Sequence, residues 1–172
     1  MDRYTPAMAD PDEPRTDWEI VVERATEATD ELLSGLSRLI PQLSSSAAPL
    51  DARALGEIVS APGTVLLVAR SLSRRPVSAA TSGIVGSLTL VTYRTPTGVR
   101  CVIEDVVVEK SARGRGVAIA LVERAVELAT EAGARHLDLT SRPSRQEANR
   151  LYERAGFARR ETNVWRLELQ AS

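Results

Sequence analysis

Two glycines in a basic turn, set between an apolar strand and an amphipathic helix, constrain this chain more than any other feature. The stretch is Val106-Val107-Val108-Glu109-Lys110-Ser111-Ala112-Arg113-Gly114-Arg115-Gly116-Val117-Ala118. A β-branched run enters a short turn, and the turn opens directly onto a helix expected over 117–132. On that helix Ala118, Leu121, Val122, Ala125, Leu128 and Ala129 form one stripe, with Glu123, Arg124, Glu127 and Glu131 opposite. Gly133 supplies the left-handed stop. Such a junction aims the unpaired N–H groups of the first helical turn, at the positive end of the helix dipole, toward one point. Glycine at 114 and 116, with small Ala118, lets a bulky anion reach the backbone. A diphosphate suits that geometry.

Two common phosphate motifs do not fit. A P-loop needs Lys-Ser/Thr after its last glycine, where this chain has Val117-Ala118. A dinucleotide fingerprint needs a third Gly or Ala where Ile119 stands, in a βαβ unit opening the fold. Taken alone, the turn is equally compatible with an ordinary surface connection.

Composition narrows the choice of chemistry. Up to residue 100 there are ten Arg against twelve carboxylates, and after it eleven Arg and Lys110 against eleven carboxylates. Neither half has the basic surplus of a nucleic-acid or anionic-membrane binder. The single Cys101 excludes an intramolecular disulfide and a multi-cysteine metal site, and the single His136 argues against a His-rich metal centre or a His-based triad. No metal is expected. The longest strictly apolar run, 117–122, is too short to cross a bilayer, and 1–15 lacks the pattern of a secretory signal. A cytoplasmic setting follows as the expectation.

Residues 1–15, with Pro6, Pro11 and Pro14 among acids, read as a disordered or docking tail, and 16–172 as one domain. An extended segment from Trp18 precedes a helix capped by Thr26 and running to about Leu39, with Pro41 breaking the chain. Asp51 caps a second helix to about Ser60, and Pro62-Gly63 forces a turn. Strands are expected over 64–69, 84–92 and 100–108, the last two joined through Thr95-Pro96-Thr97-Gly98. A short strand over 137–140 leads to a helix whose Ser144 and Glu147 match a capping box and whose end is Gly156. Residues 157–169, with Val164, Trp165, Leu167 and Leu169, read as a final strand pair. The order gives an α+β fold with a mixed, largely antiparallel sheet flanked by helices on both faces.

The C-terminal half carries a second motif, Ala148-Asn149-Arg150-Leu151-Tyr152-Glu153-Arg154-Ala155-Gly156-Phe157. With Arg113, Gly116 and Ala118 before it, and Val85-Gly86 on an earlier strand, the chain resembles the GNAT superfamily of acyl-CoA-dependent N-acetyltransferases. Arg113, Gly116 and Ala118 match that family's Arg/Gln-x-x-Gly-x-Gly/Ala loop. Ala148, Leu151, Tyr152, Gly156 and Phe157 match its later helix. The resemblance extends roughly over 16–169 and is sharpest from Ile103 to Phe157. Arg145 and Ser141 depart from it, standing where many members carry Asn.

The resemblance implies an acetyl-CoA cosubstrate and a primary-amine acceptor, small molecule or protein. The diphosphate would lie on Arg113, Gly114, Arg115, Gly116, Val117 and Ala118, with Asn149 a further cofactor contact. The pantetheine arm would run along Val106 and Val108, and an N–H near Val106 or Val107 would steady the developing oxyanion. Tyr152 occupies the general-acid position. Glu104 is the candidate base, with Asp105 next to it and water as the alternative. Strand alternation puts Glu104 on the side of Val106 and Val108 unless a bulge intervenes. Cys101 reads as a core residue. The competing class is a non-catalytic acyl-CoA-binding or regulatory module, and the C-terminal strands make a homodimer an expectation.

Overall fold

Apolar runs rich in β-branched residues become strands here because helices cover both faces of the sheet they form. The computed structural model describes residues 18–73 and 83–169. Its elements are β1 (Trp18–Arg24), α1 (Asp30–Leu43), α2 (Ala52–Ser60), β2 (Thr64–Ser73), β3 (Gly83–Thr95), β4 (Gly98–Val108), a 3-10 turn (Lys110–Ala112), α3 (Val117–Glu131), β5 (Leu137–Leu139) and α4 (Gln146–Arg154). The strands form one sheet in the order β1-β2-β3-β4-β5. All neighbours are antiparallel except β4 and β5, which α3 joins as a parallel pair. The expected α+β class, with its mixed and largely antiparallel sheet, is the observed one.

Each face has its own core. On one, Leu67, Leu88, Leu90, Cys101 and Ile103 meet Val117, Leu121, Val122 and Ala125 of α3 and Tyr152 of α4. On the other, Leu66, Val68, Ile84 and Val107 meet Leu32, Leu36 and Leu39 of α1 and Leu55 of α2. Consecutive Leu66 and Leu67 thus serve opposite cores, which is why β2 is apolar without alternation. Leu39, Leu55, Leu67, Leu88 and Leu121 are fully buried, each contributing about 1.5–3 kcal/mol by leaving water. Cys101 is a core residue, its Sγ 3.2 Å from Thr92 Oγ1.

Four local readings need correction. The cap of α1 is Thr29, not Thr26: Thr29 Oγ1 accepts from the Leu32 N–H at 3.2 Å, while Ala25 N–H still bonds Leu66 O beside the β1–β2 ladder. Pro41 lies inside α1 and does not end it. It removes one late hydrogen bond, and the helix still closes with Ser44 N–H on Ile40 O. Ser144 and Glu147 form no capping box. The Arg145 N–H bonds Arg142 O in a turn through Pro143 and Ser144, so α4 starts at Gln146 without a side-chain cap. Residues 157–169, expected as a final strand pair, form no strand. The expected N-terminal tail lies outside the described residues.

Candidate active site

β4 changes its facing halfway along, and this organises the site. Thr89 of β3 pairs with Glu104, but Ser87 pairs with Val107, so Asp105 and Val106 together oppose Leu88. This is a β-bulge, and Asp105 sits in it at φ 52°, a conformation that costs a non-glycine residue about 1–2 kcal/mol. Before the bulge Ile103 packs into the α3 core; after it Val107 packs into the α1–α2 core although both numbers are odd. Val106 and Val108 are half-buried against the α3 core. The simple parity that would align Glu104 with Val106 and Val108 is therefore broken. Glu104 follows Ile103 onto the opposite, α1–α2 side, and both Glu104 and Asp105 are exposed.

The outer edge of β4 opens at the same place. β5 pairs with β4 only through Cys101–Leu137, Val102–Asp138 and Ile103–Leu139. From Glu104 onward β4 is paired on the β3 side alone. Its other row of backbone donors and acceptors can take an extended ligand as an added strand. One acceptor, Val108 O, is partly used by Arg113 Nε at 3.3 Å.

The turn beyond β4 is held at both ends. Glu109 N–H bonds Val85 O at 2.8 Å, and Ala112 and Val117 are buried on either side of an exposed stretch from Arg113 to Gly116. Gly114 and Gly116 both adopt left-handed backbone, φ 73° and 79°. A Cβ at Gly114 would meet nothing within 4 Å. Backbone conformation, together with open space above the turn, explains these glycines. Gly116 is the N-cap of α3 and offers no side chain to the first-turn N–H groups, and that turn carries no acid. From Lys110 to Gly116 there are three cations and no carboxylate. Helix dipole, N–H groups and cations thus reinforce one another for a multiply charged anion.

Gly86 sets how closely α3 approaches. A Cβ there would lie 2.8 Å from Val117 Cγ1 and 3.2 Å from Val107 O. Only glycine lets the first turn of α3 rest on the sheet beside β4.

Tyr152, from α4, is buried in the same core as Ala112 and Val117, with its ring edge-on to Phe157 at 6.0 Å. Burial raises its phenol above the ordinary 10.0, and the Arg145 cation opposes this in part. Its proton is therefore retained at neutral pH. Asn149 lies one turn earlier on α4. Its Nδ2 donates to Arg142 O at 3.2 Å, closing the loop that leads into the helix. Ser141 Oγ, in that same connection, is buried with no hydrogen-bond partner among the described residues.

Sequence reasoning missed Gln42. Its Nε2 donates to Glu109 Oε1, and its Oε1 accepts the Lys110 N–H, so α1 grips the start of the turn. His136 is exposed at the opposite end of β4, where its carbonyl accepts from Cys101 N–H. Among the described residues no cluster of three or more His, Cys, Asp or Glu is placed to hold a metal ion. No helix among them is long and apolar enough to cross a membrane.

Comparison with known proteins agrees with this fold. The family model described as Acetyltransferase (GNAT) family matches residues 58–157. A Trypanosoma brucei acetyltransferase structure is similar at 29% identity and TM-score 0.68, over 88% of this chain and 100% of that one. A putative acetyltransferase from Agrobacterium tumefaciens is similar at 22% identity and TM-score 0.69, over 86% and 99%. Glucosamine-6-phosphate N-acetyltransferase from Arabidopsis thaliana, at 18% identity and TM-score 0.70 over 87% and 98%, shares the fold. No curated protein matches the chain.

Proposed function

Because the chain belongs to the acetyltransferase (GNAT) family, we propose that it transfers an acetyl group from acetyl-CoA to a primary amine. The observation that carries this reading is the turn with three cations from Lys110 to Arg115 and two left-handed glycines, opening onto α3 at the end of an unpaired strand edge. A diphosphate fits the first part and an amide-containing arm fits the second. When bound, acetyl-CoA supplies an acyl group activated as a thioester.

The roles proposed for the chain's own residues follow from their places. Backbone N–H groups of Gly114, Gly116, Val117 and Ala118 bind the diphosphate, and Arg113 and Arg115 add charge. Main-chain groups of Val106 and Val108 orient the arm, while an N–H at Val106 or Val107, turned by the bulge, polarises the thioester carbonyl. Asn149 shares a side of α4 with Tyr152 and adds a cofactor contact. The Tyr152 hydroxyl holds the proton that passes to the departing sulfur as the C–S bond breaks and the C–N bond forms. The acceptor amine approaches from the Glu104 side, and its surplus proton leaves through the Glu104 carboxylate or water.

The test is a melting curve with acetyl-CoA followed by a CoA-release screen over amines and peptides. A rise in Tm with release on some acceptor supports the reading. A rise in Tm without release on any acceptor would instead favour an acyl-CoA-binding module. No rise in Tm removes the diphosphate site.

A further inference from the structure

The end of β4 away from the cationic turn holds a second basic cleft. Thr97 of the β3–β4 hairpin, Val99 and Arg100 of β4, and Arg135 and His136 of the α3–β5 connection line it. No carboxylate is among them, and the volume of about 110 Å³ is well above the roughly 10–15 Å³ that one water needs. Two backbone hydrogen bonds fix one wall against the other. The Arg135 N–H donates to Val99 O and the Cys101 N–H to His136 O, each at 3.2 Å. The stem of Arg135 crosses Gly98, where a Cβ would stand 3.6 Å from Arg135 Cδ. On the hairpin, Thr95 Oγ1 donates to Gly98 O at 3.1 Å, so the 2.9 Å contact between the Thr95 and Thr97 hydroxyls uses the Thr97 proton. Thr97 Oγ1 then accepts from Arg100 Nη2 at 3.3 Å, which holds that guanidinium at the cleft with further N–H groups to offer. The side chains of Arg135 and His136 have no hydrogen-bond or ion-pair partner among the described residues. The acids flanking them in sequence, Glu131 and Asp138, face Arg124 and Arg160 instead.

We propose that this cleft binds a phosphate group, as free phosphate or as the phosphate monoester of a small metabolite. Donors reach it from two walls, Arg100 from β4 and Arg135 with His136 from the connection. A carboxylate offers its oxygens in one plane, whereas a tetrahedral oxyanion spreads three of them toward separate donors. A guanidinium can meet two such oxygens with parallel N–H groups. Two guanidinium groups lining one cleft repel each other, and an anion between them turns that repulsion into attraction. Arg100 lies eight residues before Val108 on β4, about 25 Å at the rise of an extended strand. The cleft shares no residue with the candidate active site, so this inference stands apart from the acetyl-transfer reading.

His136 is the only histidine of the chain, so its imidazole signals in a proton NMR spectrum are unambiguous. The full chain is titrated with sodium phosphate at fixed pH and fixed ionic strength, chloride being exchanged for phosphate. The His136 signals should shift, with half-saturation at about 1 mM or below. Arg135→Gln and Arg100→Gln, each checked for folding by far-UV circular dichroism, should weaken this binding about tenfold or more. Arg113→Gln, in the other cationic turn, should leave it unchanged. Glycerol phosphate as a second titrant separates the sources. Tighter binding than free phosphate assigns the cleft to a metabolite monoester, and equal or weaker binding assigns it to free phosphate. Signals that move with neither titrant, or that move as far with acetate, overturn the proposal. A titration unchanged in both folded arginine variants, or one lost in Arg113→Gln, overturns it as well.

Discussion

Gln42 holds Glu109 across 67 residues of sequence, its Nε2 donating to Glu109 Oε1 at 2.8 Å. The same carboxamide accepts the Lys110 N–H at 3.1 Å and donates to Arg38 O at 3.0 Å. One half-buried amide thereby ties the last turn of α1 to the first residues of the cationic turn. Gln42→Ala should cost about 1–2 kcal/mol of ordering, from the hydrogen bonds lost. Measured by kinetics, KM for acetyl-CoA should rise about threefold or more while kcat changes little. Hydrogen exchange at the Lys110 amide should quicken in the same variant without any ligand. An unchanged exchange rate would show that the turn is held without Gln42.

Tyr152→Phe removes the hydroxyl and keeps the ring that packs on Phe157, so folding should be nearly unaffected. Loss of a positioned general acid lowers kcat by about 10²-fold or more. KM for acetyl-CoA should hold within about twofold. Equal kcat in the two proteins would assign Tyr152 to packing alone.

The same phenol predicts a pH dependence of stability. Its folded value is raised, first by burial, so the folded chain favours the neutral form relative to the unfolded chain. The associated stability is complete below the unfolded value near 10.0 and is lost as pH rises through the folded one. In urea melts between about pH 9 and 11 the wild type should lose stability more steeply than Tyr152→Phe. Parallel curves would mean that the hydroxyl is as well solvated folded as unfolded.

Gly86→Ala tests the seating of α3. The added methyl lies within 2.8 Å of Val117 Cγ1 and within 3.2 Å of Val107 O, which is backbone and cannot yield. Overpacking of this kind costs about 1–3 kcal/mol, read as a lower Tm. Because Val117 begins α3, acetyl-CoA affinity should fall as well. A variant with wild-type Tm and affinity would show that α3 has room to retreat.

Gly116→Ala separates conformation from space. Its Cβ would meet little, Ile119 Cγ2 at 4.0 Å, yet φ of 79° opposes any L side chain. The expected cost is about 1 kcal/mol, with a larger loss in acetyl-CoA affinity than in Tm as the first turn of α3 shifts. Gly116→Asn, which tolerates left-handed backbone better, should fall between the two.

What could be read from residues alone was local. The turn at 109–116, α3 with its Gly133 stop, the 95–98 hairpin and the Asp51 cap each depend on neighbours in sequence, and each is found in place. Gln42 and Gly86 act on partners far along the chain, and no periodicity or spacing announces such contacts. Thr26 and Thr29 are both competent caps, and the choice between them was made by how far the β1–β2 ladder extends, to Ala25. Pro41 is tolerated inside α1, against the expectation from sequence, because the helix there still buries Leu39 and Gln42 Nε2 still donates to Arg38 O. No periodicity marks the bulge, although of Glu104, Asp105 and Val106 only Asp105 is of a type that tolerates left-handed backbone, which it adopts at φ 52°.

That bulge also makes the site more sensitive to the length of β4 than to its composition. Deleting Asp105 would turn Val107 away from Leu36 and Leu39 and send Val106 and Val108 toward the wrong helices, without changing the hydrophobicity of any other residue. Substitution along 104–108 changes one side chain at a time. Insertion or loss of a single residue there would invert the whole distal half of the strand, and with it the direction in which every N–H beyond Asp105 points.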